Sequence, residues 1–418
     1  MKHIARYHHK SIILFLLVML FLFSGCEKQE SAATQTESPT ATPDSPALDT
    51  QETESSQNNF VDKLTEDEAK DYYGDYKETG GQIALVIDNS DIGYKCFNED
   101  AYEGVKTFAM AAGVSYSYYK ADDDSREAYM AVLRTAILNN AELIVCGGSQ
   151  FEQAVGTLQD SNPDVSFLLL DGVPRDSSGK ALPISPNVHC ITYREEEAGY
   201  LAGYLTVMEG YTHLGFIGGE ELPSVERYGI GYVKGIDDAA KILDKSDEIT
   251  VDYWYAGTFH PDEKAEAESA LWYESGTEII FVCGGSLYES VLSSADKCDG
   301  LLIGVDVDQS DISERFLTSA MKGVKSSVII ALDEYLANGF LWPEEMSGKE
   351  ISCGATEKCI SLPVTEPGWR FKNVTLKEYY NLLSSIKNEE IEIPTDPDAI
   401  QKVSVNVVYH HSGQEEQP

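Results

Sequence analysis

The chain has 418 residues, of which 70 are Asp or Glu and 31 are Lys or Arg, so its formal net charge at pH 7 is −39. This excess of acid excludes a basic face for nucleic acid and argues against a body that lies on anionic lipid. The length is sufficient for two domains of ordinary size.

The N-terminal segment has the pattern of a secretory signal that ends at a cysteine. A basic leader, MKHIARYHHK, precedes the apolar run SIILFLLVMLFLF. This run is shorter than the about 20 residues that a membrane-spanning helix needs. The following LFSGC resembles the bacterial lipobox, in which the cysteine receives a diacylglyceryl group. We therefore predict a signal peptide over residues 1–25 and lipidation at Cys26. An ordinary signal peptide with an incidental cysteine is the alternative.

The next segment lacks the residues that build a core. Residues 27–59 contain no aromatic side chain and consist mainly of Ser, Thr, Gln, Glu, Ala and Pro. Such a composition cannot bury enough apolar surface to offset the entropy lost on ordering. We expect residues 26–80 to form a disordered tether between a membrane and a globular body.

From Gln82 onward, short strand-like runs alternate with helical stretches. The runs QIALVI, VSYSYY, ELIVC, VSFLLL and NVHCITY are rich in β-branched and aromatic residues and predict strands. Apolar residues recur at helical spacing in FNEDAYEGVKTFAMAA, between the first two runs. This alternation predicts an α/β fold with a doubly wound, mostly parallel sheet. We place the first lobe at residues 81–210, completed by about 322–340.

The same order of elements then restarts at HLGFIGG, which predicts a second parallel-sheet lobe over residues 211–320. The stretch VCGGS ends a strand in each lobe, at Val145–Ser149 and again at Val282–Ser286. Ligands bind outside the carboxyl ends of parallel strands, so two matched turns predict a cleft between two lobes. An incidental Gly-Gly turn is the alternative for either copy alone. We expect residues 341–418 to pack back on the lobes and to end in a disordered tail.

Seven segments carry a family resemblance in matching order. They are IALVIDNSDIGYKCFNEDAYEGVK, NPDVSFLLLDG, NVHCITYREEEAGYLAGYL, LGFIGGEELPSVERYGIGYVKGI, YAGTFHPDEKA, LLIGVDVDQ and LTSAMKGV. Together they resemble the basic membrane protein family, the lipid-anchored substrate-binding proteins of nucleoside ABC transporters. The resemblance implies a type I periplasmic-binding-protein fold, with two lobes joined by a hinge.

The resemblance also implies a set of ligand-binding positions. They are Asp88, Phe97 and Asn98 in the first lobe, Phe259, Gly284 or Gly285 and Asp306 in the second, and Lys322 where the chain returns to the first lobe. Asp171 is added because it ends the predicted strand FLLLD. By the resemblance, Phe97 and Phe259 stack on a base, which is worth about 1–3 kcal/mol per base. Asp306 accepts ribose hydroxyls, and Lys322 keeps that carboxylate ionised.

Without the resemblance, ordinary interpretations of these residues stay open. Phe97 fits a core position at a helix start, Asp306 fits a turn or cap, and Lys322 fits a solvated side chain. Phe259 fits ordinary packing beside a His-Pro turn.

The sequence departs from the family pattern at two places. Tyr94 stands where the family has an aspartate that hydrogen-bonds the base, and Cys96 replaces a serine. A tyrosine cannot accept two base N–H groups as a carboxylate can. At the second turn GSLY replaces Gly-Thr-Gly, which adds bulk beside the sugar. We expect looser base discrimination than in members that keep the aspartate.

No sequence motif indicates catalysis, a metal or a cofactor. The chain lacks G-x-S-x-G, H-E-x-x-H, P-loop and G-x-G-x-x-G motifs. His410 and His411 are assigned to the tail, and the remaining histidines after the signal lie on separate elements. Cys353 and Cys359 fit either a local disulfide or two buried thiols. Cys146 and Cys283, at the matched strand ends, fit small core thiols.

We therefore predict a non-enzymatic solute-binding lipoprotein on the extracytoplasmic face of the cell membrane. It would be a monomer that binds a nucleoside, most simply a purine nucleoside, and delivers it to the permease and ATPase subunits of an ABC importer. A ligand-responsive surface receptor or sensor accessory of the same fold is one alternative. A surface adhesin is the other.

Overall fold

Fully buried apolar runs form the central strands. In the computed structural model, which describes residues 77–410, β1 (Ile83–Ile87) and β8 (Ile279–Cys283) are buried along their whole length. Runs of this kind suit parallel sheets with helices on both faces, because neither face of the strand reaches water. All of the described residues fall within one compact unit of the chain.

The first lobe is built on a six-stranded sheet. Its strands are β1, β2 (Tyr116–Lys120), β3 (Leu143–Gly147), β4 (Ser166–Leu170), β5 (Val188–Tyr193) and β11 (Lys349–Cys353). They lie in the order β11–β5–β4–β3–β1–β2, and every pairing is parallel. One face packs on α1 (Phe97–Ala112) and α8 (Val324–Ala337), the other on α2 (Arg126–Leu138) and α3 (Glu152–Leu158). Leu85 belongs to one core and its neighbour Val86 to the other, as strand alternation requires.

The second lobe is built on a seven-stranded sheet. Its strands are β6 (His213–Gly218), β7 (Thr250–Tyr255), β8, β9 (Leu301–Asp306), β10 (Phe316–Lys322), β12 (Ile360–Ser361) and β13 (Asn406–Tyr409). They lie in the order β12–β10–β9–β8–β6–β7–β13, and only the short β12 is antiparallel to its neighbour. One face packs on α4 (Glu195–Glu209), α5 (Pro223–Ile242) and α9 (Leu376–Lys387), the other on α6 (Glu263–Ser275) and α7 (Tyr288–Cys298). The two parallel sheets confirm the predicted fold class.

Helix α4 packs with the second lobe, although the sequence analysis places it in the first. Its residues Ala198, Leu201 and Leu205 share a core with Leu214 and Phe216 of β6. The chain therefore first crosses between the lobes at Arg194, directly after β5. The physical reason is that α4 is buried almost all round, and that α5 supplies a complementary face.

Glycines let α4 and α5 pack backbone to backbone. A Cβ at Gly199 would lie 2.1 Å from the Tyr228 carbonyl oxygen, and a Cβ at Gly203 would lie 2.1 Å from the Tyr232 carbonyl oxygen. On the opposite helix, a Cβ at Gly231 would lie 2.0 Å from the Glu196 carbonyl oxygen. Glycine at four-residue spacing on both helices thus permits an approach that alanine would block.

The C-terminal strand β13 closes the edge of the second sheet beside β7. His410, which the sequence analysis assigns to the tail, follows this strand and its Nε2 lies 2.9 Å from Asp252 Oδ1. His213 Nε2 lies 2.8 Å from the other oxygen of Asp252. One carboxylate therefore links β6, β7 and the end of the described chain. Residues 1–76 and 411–418, with the predicted signal, Cys26 and most of the tether, lie outside the described residues.

Candidate ligand-binding site

Both VCGGS turns line one cavity. Gly147, Gly148 and Ser149 reach it from the carboxyl end of β3, and Cys283, Gly284 and Gly285 reach it from that of β8. A short 3-10 turn comes next in each copy, Ser149–Phe151 in the first and Gly285–Leu287 in the second. All of the ligand-binding residues predicted from the sequence, except Tyr94, line this cavity as well.

Two aspartates enter the cavity from strand ends with unusual backbone conformations. Asp171 follows β4 with φ +60°, and Asp306 ends β9 with φ +65°. The left-handed region is unfavourable for residues other than glycine, although aspartate tolerates it better than most. Residues held in this region cluster at functional sites, because the surrounding fold must impose the conformation.

Lys322 is the centre of the charged part of the cavity. Its Nζ lies 2.7 Å from Asp171 Oδ2, 3.3 Å from Glu195 Oε1 and 3.7 Å from Asp306 Oδ1. The lysine is 3% exposed. Burial disfavours the ammonium, but the three carboxylates outweigh burial and raise the pKa of Lys322 above its usual range. The ammonium therefore stays charged and joins Asp171 of the first lobe to the second lobe.

The carboxylates outnumber the cations at this centre. Arg227 Nε binds Glu195 Oε2 at 2.7 Å, so two cations face three acids. Burial raises the pKa of Asp306, while Lys322 opposes the shift. Asp171 Oδ1 is buried and has no hydrogen-bond partner among residues 77–410. Buried acceptors of this kind call for donors, so the charged part of the cavity suits a ligand with hydroxyl or N–H groups.

Two phenylalanines supply the apolar part. Phe97 begins α1, and its ring centroid lies 4.7 Å from Lys322 Nζ, a cation–π contact. Phe259 precedes α6 and packs on the glycines of the second lobe. A Cβ at Gly219 would lie 2.4 Å from the Phe259 ring, and one at Gly285 would lie 2.8 Å from the Phe259 carbonyl oxygen. The second VCGGS turn therefore needs its glycines so that this aromatic residue can reach the cavity.

A hydrogen-bonded cluster fixes the wall formed by the first lobe. Asp88 Oδ1 accepts from the Ser90 N–H and from Asn98 Nδ2, both at 2.8 Å. Asp88 Oδ2 accepts from Gln150 Nε2 at 3.0 Å. Asp88 thus joins the end of β1, the start of α1 and the first VCGGS turn.

The structure places Tyr94 outside the cavity. Tyr94 lines a separate surface depression together with Gly93, Tyr118 and Lys120. Gly93 (φ +110°) and Lys95 (φ +46°) turn the chain between β1 and α1. This double turn directs Tyr94 into that depression, so the structure does not bring Tyr94 together with the other predicted site residues.

Sequence reasoning missed several side chains of the site. Gln150, Ser224 and Tyr228 line the cavity, and Glu195 binds Lys322 behind it. Gln150 directly follows the first VCGGS, which is a usable signal. Tyr228 and Ser224 lie at the start of α5, and their spacing has no feature that separates them from core residues.

The two lobes touch across the mouth of the cavity. Gln309 Nε2 of the second lobe donates to the Lys95 carbonyl oxygen of the first lobe at 2.8 Å. Lys95 also forms an ion pair with Asp311. On another side, His260 Nε2 lies 3.5 Å from Asp124 Oδ2. Residues of both lobes therefore line the cavity, and the lobes are also in direct contact outside its lining.

Residues 77–410 contain no group of three or more His, Cys, Asp or Glu side chains placed to hold a metal ion. No helix in this range is long and apolar enough to span a membrane.

Comparison with known proteins agrees with this architecture. Basic membrane protein B of Borrelia garinii subsp. bavariensis is 30% identical over 302 residues, which cover 71% of this chain and 79% of that protein. The ABC transporter nucleoside-binding protein BmpA of Lactococcus lactis subsp. cremoris is 29% identical over 245 residues, which cover 56% of this chain and 65% of that protein.

Solved structures show the same fold at lower identity. An ABC transporter solute-binding protein from Aeropyrum pernix superposes with a TM-score of 0.63 at 18% identity, covering 77% of this chain and 95% of its own. One from Conexibacter woesei gives a TM-score of 0.58 at 19% identity, covering 75% and 98%.

The family model described as "ABC transporter substrate-binding protein PnrA-like" matches residues 82–397. This match confirms the resemblance stated from the sequence. The chain therefore belongs to the Bmp family of PnrA-like ABC transporter substrate-binding proteins, a family of solute-binding proteins and not of enzymes.

Proposed function

We propose that this protein binds a nucleoside, preferably a purine nucleoside, between its two lobes and delivers it to an ABC importer. The lactococcal relative, described as a nucleoside-binding protein, supports the class of ligand. The family supports a small-molecule ligand and the permease and ATPase subunits as partners.

The observation that carries the proposal is the pairing of aromatic and charged groups in one cavity. Phe97 and Phe259 come from different lobes and line the same space as Asp306 and Lys322. A base has two π faces, and stacking is worth about 1–3 kcal/mol per base. A ribose has adjacent hydroxyls, which suit the buried Asp306 carboxylate and the unpartnered Asp171 oxygen. A purine would cover more of the two rings than a pyrimidine.

The experiment that tests the proposal is calorimetry on the full chain with a ligand panel. Ribonucleosides should bind with micromolar Kd, about −8 kcal/mol, and purine nucleosides should bind more tightly than pyrimidine nucleosides. Free bases, ribose, other sugars and short peptides should bind far more weakly. Binding of a sugar or peptide without any nucleoside would contradict the nucleoside assignment and leave the family assignment intact.

The ribose part of the proposal has a matched test within the same panel. Loss of the 2′-hydroxyl should cost on the order of 1–3 kcal/mol, because a buried acceptor loses its donor. Asp306→Ala should therefore weaken ribonucleosides more than 2′-deoxynucleosides, whereas Phe97→Ala should weaken both alike. Phe340→Ala, at a half-exposed aromatic outside the cavity, serves as the control. Equal losses for both sugar types in Asp306→Ala would exclude that role.

We further propose that the protein is a monomeric lipoprotein on the extracytoplasmic face of the cell membrane. In this proposal Cys26 carries the lipid after removal of residues 1–25, and the acidic segment to residue 80 serves as the tether. Cys26→Ala should abolish labelling by a fatty-acid probe and release the protein or leave an uncleaved precursor. Normal labelling and membrane retention of that variant would refute the anchor.

A further inference from the structure

The chain crosses between the lobes three times, and backbone hydrogen bonds join the first and the second crossing to the third. The first is at Arg194 between β5 and α4, the second at Gly323 between β10 and α8, and the third runs over residues 354–359 between β11 and β12. The Arg194 N–H donates to the Cys353 carbonyl oxygen at 3.1 Å, and the Gly323 N–H donates to the Cys359 carbonyl oxygen at 2.7 Å. Each end of the third crossing is therefore hydrogen-bonded to one of the other two crossings.

Cysteines stand at these two ends. Cys353 is the last residue of β11, and Cys359 directly precedes β12. The Cys359 N–H donates to the Gly354 carbonyl oxygen at 3.0 Å, which folds the segment back on itself. Both thiols are buried in the same core of the first lobe, where they are 4% and 6% exposed. The seven cysteines among residues 77–410 are all free, and this pair lies at the two ends of the third crossing.

We propose that Cys353 and Cys359 form a reversible disulfide, which fixes the third crossing in its present geometry and so resists separation of the lobes. The bond would close a ring over residues 353–359. The carbonyl oxygens of its two cysteines accept hydrogen bonds from the Arg194 and Gly323 N–H groups. Any effect on ligand release rests on the function proposed above, whereas the disulfide itself does not.

The oxidant can be a small disulfide such as oxidised glutathione. The Cys359 thiolate attacks one sulfur of glutathione disulfide, forming a mixed disulfide and releasing one glutathione thiolate. The Cys353 sulfur then attacks the Cys359 sulfur and releases the second glutathione. Two protein thiols become one disulfide, and one glutathione disulfide becomes two thiols, which take up the two protons.

Local chemistry agrees with Cys359 as the first nucleophile. The neighbouring Cys353 thiol lowers the pKa of the Cys359 thiol, although burial and Glu357 oppose the shift. The thiolate is the form that attacks disulfides. Because both sulfurs are nearly inaccessible, exchange needs a transient opening of the crossings.

The first test is peptide mapping of the full chain after prolonged incubation with excess oxidised glutathione. Free thiols are blocked with N-ethylmaleimide in denaturant, and trypsin cleaves after Lys358, between the two cysteines. The expected product is residues 350–358 linked to residues 359–370, which dithiothreitol separates. Cys298→Ser, at the only described cysteine that is not buried, should leave this product unchanged. Maleimide or glutathione on both peptides, or linkage to another cysteine, would overturn the proposal.

The second test measures the crossings without any ligand. Backbone amide exchange at Arg194 and Gly323 should be at least about threefold slower in the oxidised protein than in the reduced protein, because opening is restricted. Cys359→Ser, and Cys353→Ser as a second variant, should show no such difference under the same treatment. Equal exchange rates in oxidised and reduced wild type would overturn the hinge role. Neither test uses a nucleoside, so absence of nucleoside binding would refute only the proposed function.

Discussion

The two VCGGS turns have the same sequence and the same position in their sheets, yet they present different chemistry to the cavity. In the first, the Gln150 side chain folds over Gly148, where a Cβ would lie 2.3 Å from Gln150 Oε1. In the second, Phe259 lies over the glycines, and the Ser286 N–H donates to its carbonyl oxygen at 3.0 Å. One wall is therefore a polar amide bonded to Asp88, and the other is an aromatic ring.

This difference shows what a repeated turn specifies. The shared letters determine where a parallel strand ends and how closely another group can approach its backbone. Neighbours outside the repeat decide which group approaches. For the first turn the neighbour is the residue that directly follows it, Gln150, and for the second it is Phe259 from a different loop. The same turn sequence can therefore support a hydrogen-bonding wall in one lobe and a stacking wall in the other.

The largest expected effect comes from removing the Lys322 ammonium, which joins Asp171 of the first lobe to Glu195 and Asp306 of the second. Lys322→Met leaves Asp171, Glu195 and Asp306 buried without their ammonium, so the free energy of unfolding should fall by about 3–5 kcal/mol. Adding Asp171→Asn should recover part of that loss because it removes one uncompensated charge. Urea denaturation measures both variants. Lys387→Met, at an exposed lysine, is the control, and an equally small change in both single variants would show that the lobes are independent.

The next effect is a pH dependence that belongs mainly to the second lobe. Burial raises the pKa of Glu196 on α4 to about 7, with Arg227 opposing the shift. Between its ordinary pKa and about 7, the folded protein keeps a proton that the unfolded chain has lost. The contribution of this group to stability is therefore largest below that window and is lost as pH rises through it, by about 2–3 kcal/mol.

The check is urea denaturation at pH 5 and pH 8. Glu196→Gln should be more stable than wild type at pH 8 and should show a smaller difference between the two pH values. Asp100 on α1, whose pKa burial raises to about 6, should contribute in the same direction from the first lobe. Glu345→Gln, at an exposed glutamate, is the control. The same pH dependence of stability in wild type and Glu196→Gln would contradict the expectation.

A smaller effect should come from the aromatic wall alone. Phe259→Ala removes the ring that covers the second turn, so nucleoside affinity should fall by about 1–3 kcal/mol, the worth of one stacking contact. Ribonucleosides and 2′-deoxynucleosides should lose the same amount, since the ring does not contact the 2′-hydroxyl in the proposed pose. Calorimetry measures the loss. A change confined to one sugar type would show that Phe259 acts on the ribose rather than on the base.

The strand ends could be predicted from the sequence, because apolar runs followed by Gly or Asp mark them directly. Asp171, Asp306 and both glycine turns come to the cavity for this reason. The lobe of α4 could not be predicted from hydrophobic pattern, since a helix buried on most sides does not indicate which sheet it covers. The four-residue glycine spacing in GYLAG and GYVKG was the available signal.

The position of Tyr94, in contrast, could not be predicted from the sequence. Counting residues from Asp88 puts Tyr94 at the base position, but the path of a loop depends on its turns. Positive φ at Gly93 and Lys95 redirects the chain, and a lysine in that region has no sequence signature. Position within a motif therefore predicts the strand end and the helix start reliably, and the residues between them poorly.

The smallest expected effect is on the polar wall. Gln150→Ala removes one of three donors to Asp88, while Asn98 and Ser90 keep theirs. Because Asp88 is only partly buried, water can replace the lost amide, so affinity for nucleosides should fall by about 1 kcal/mol, roughly fivefold. Gln401→Ala, at an exposed glutamine that does not line the cavity, should leave the affinity unchanged. A loss in Gln150→Ala as large as that in Phe259→Ala would mean that both turns bind the ligand directly, and that the polar wall does more than hold Asp88 in place.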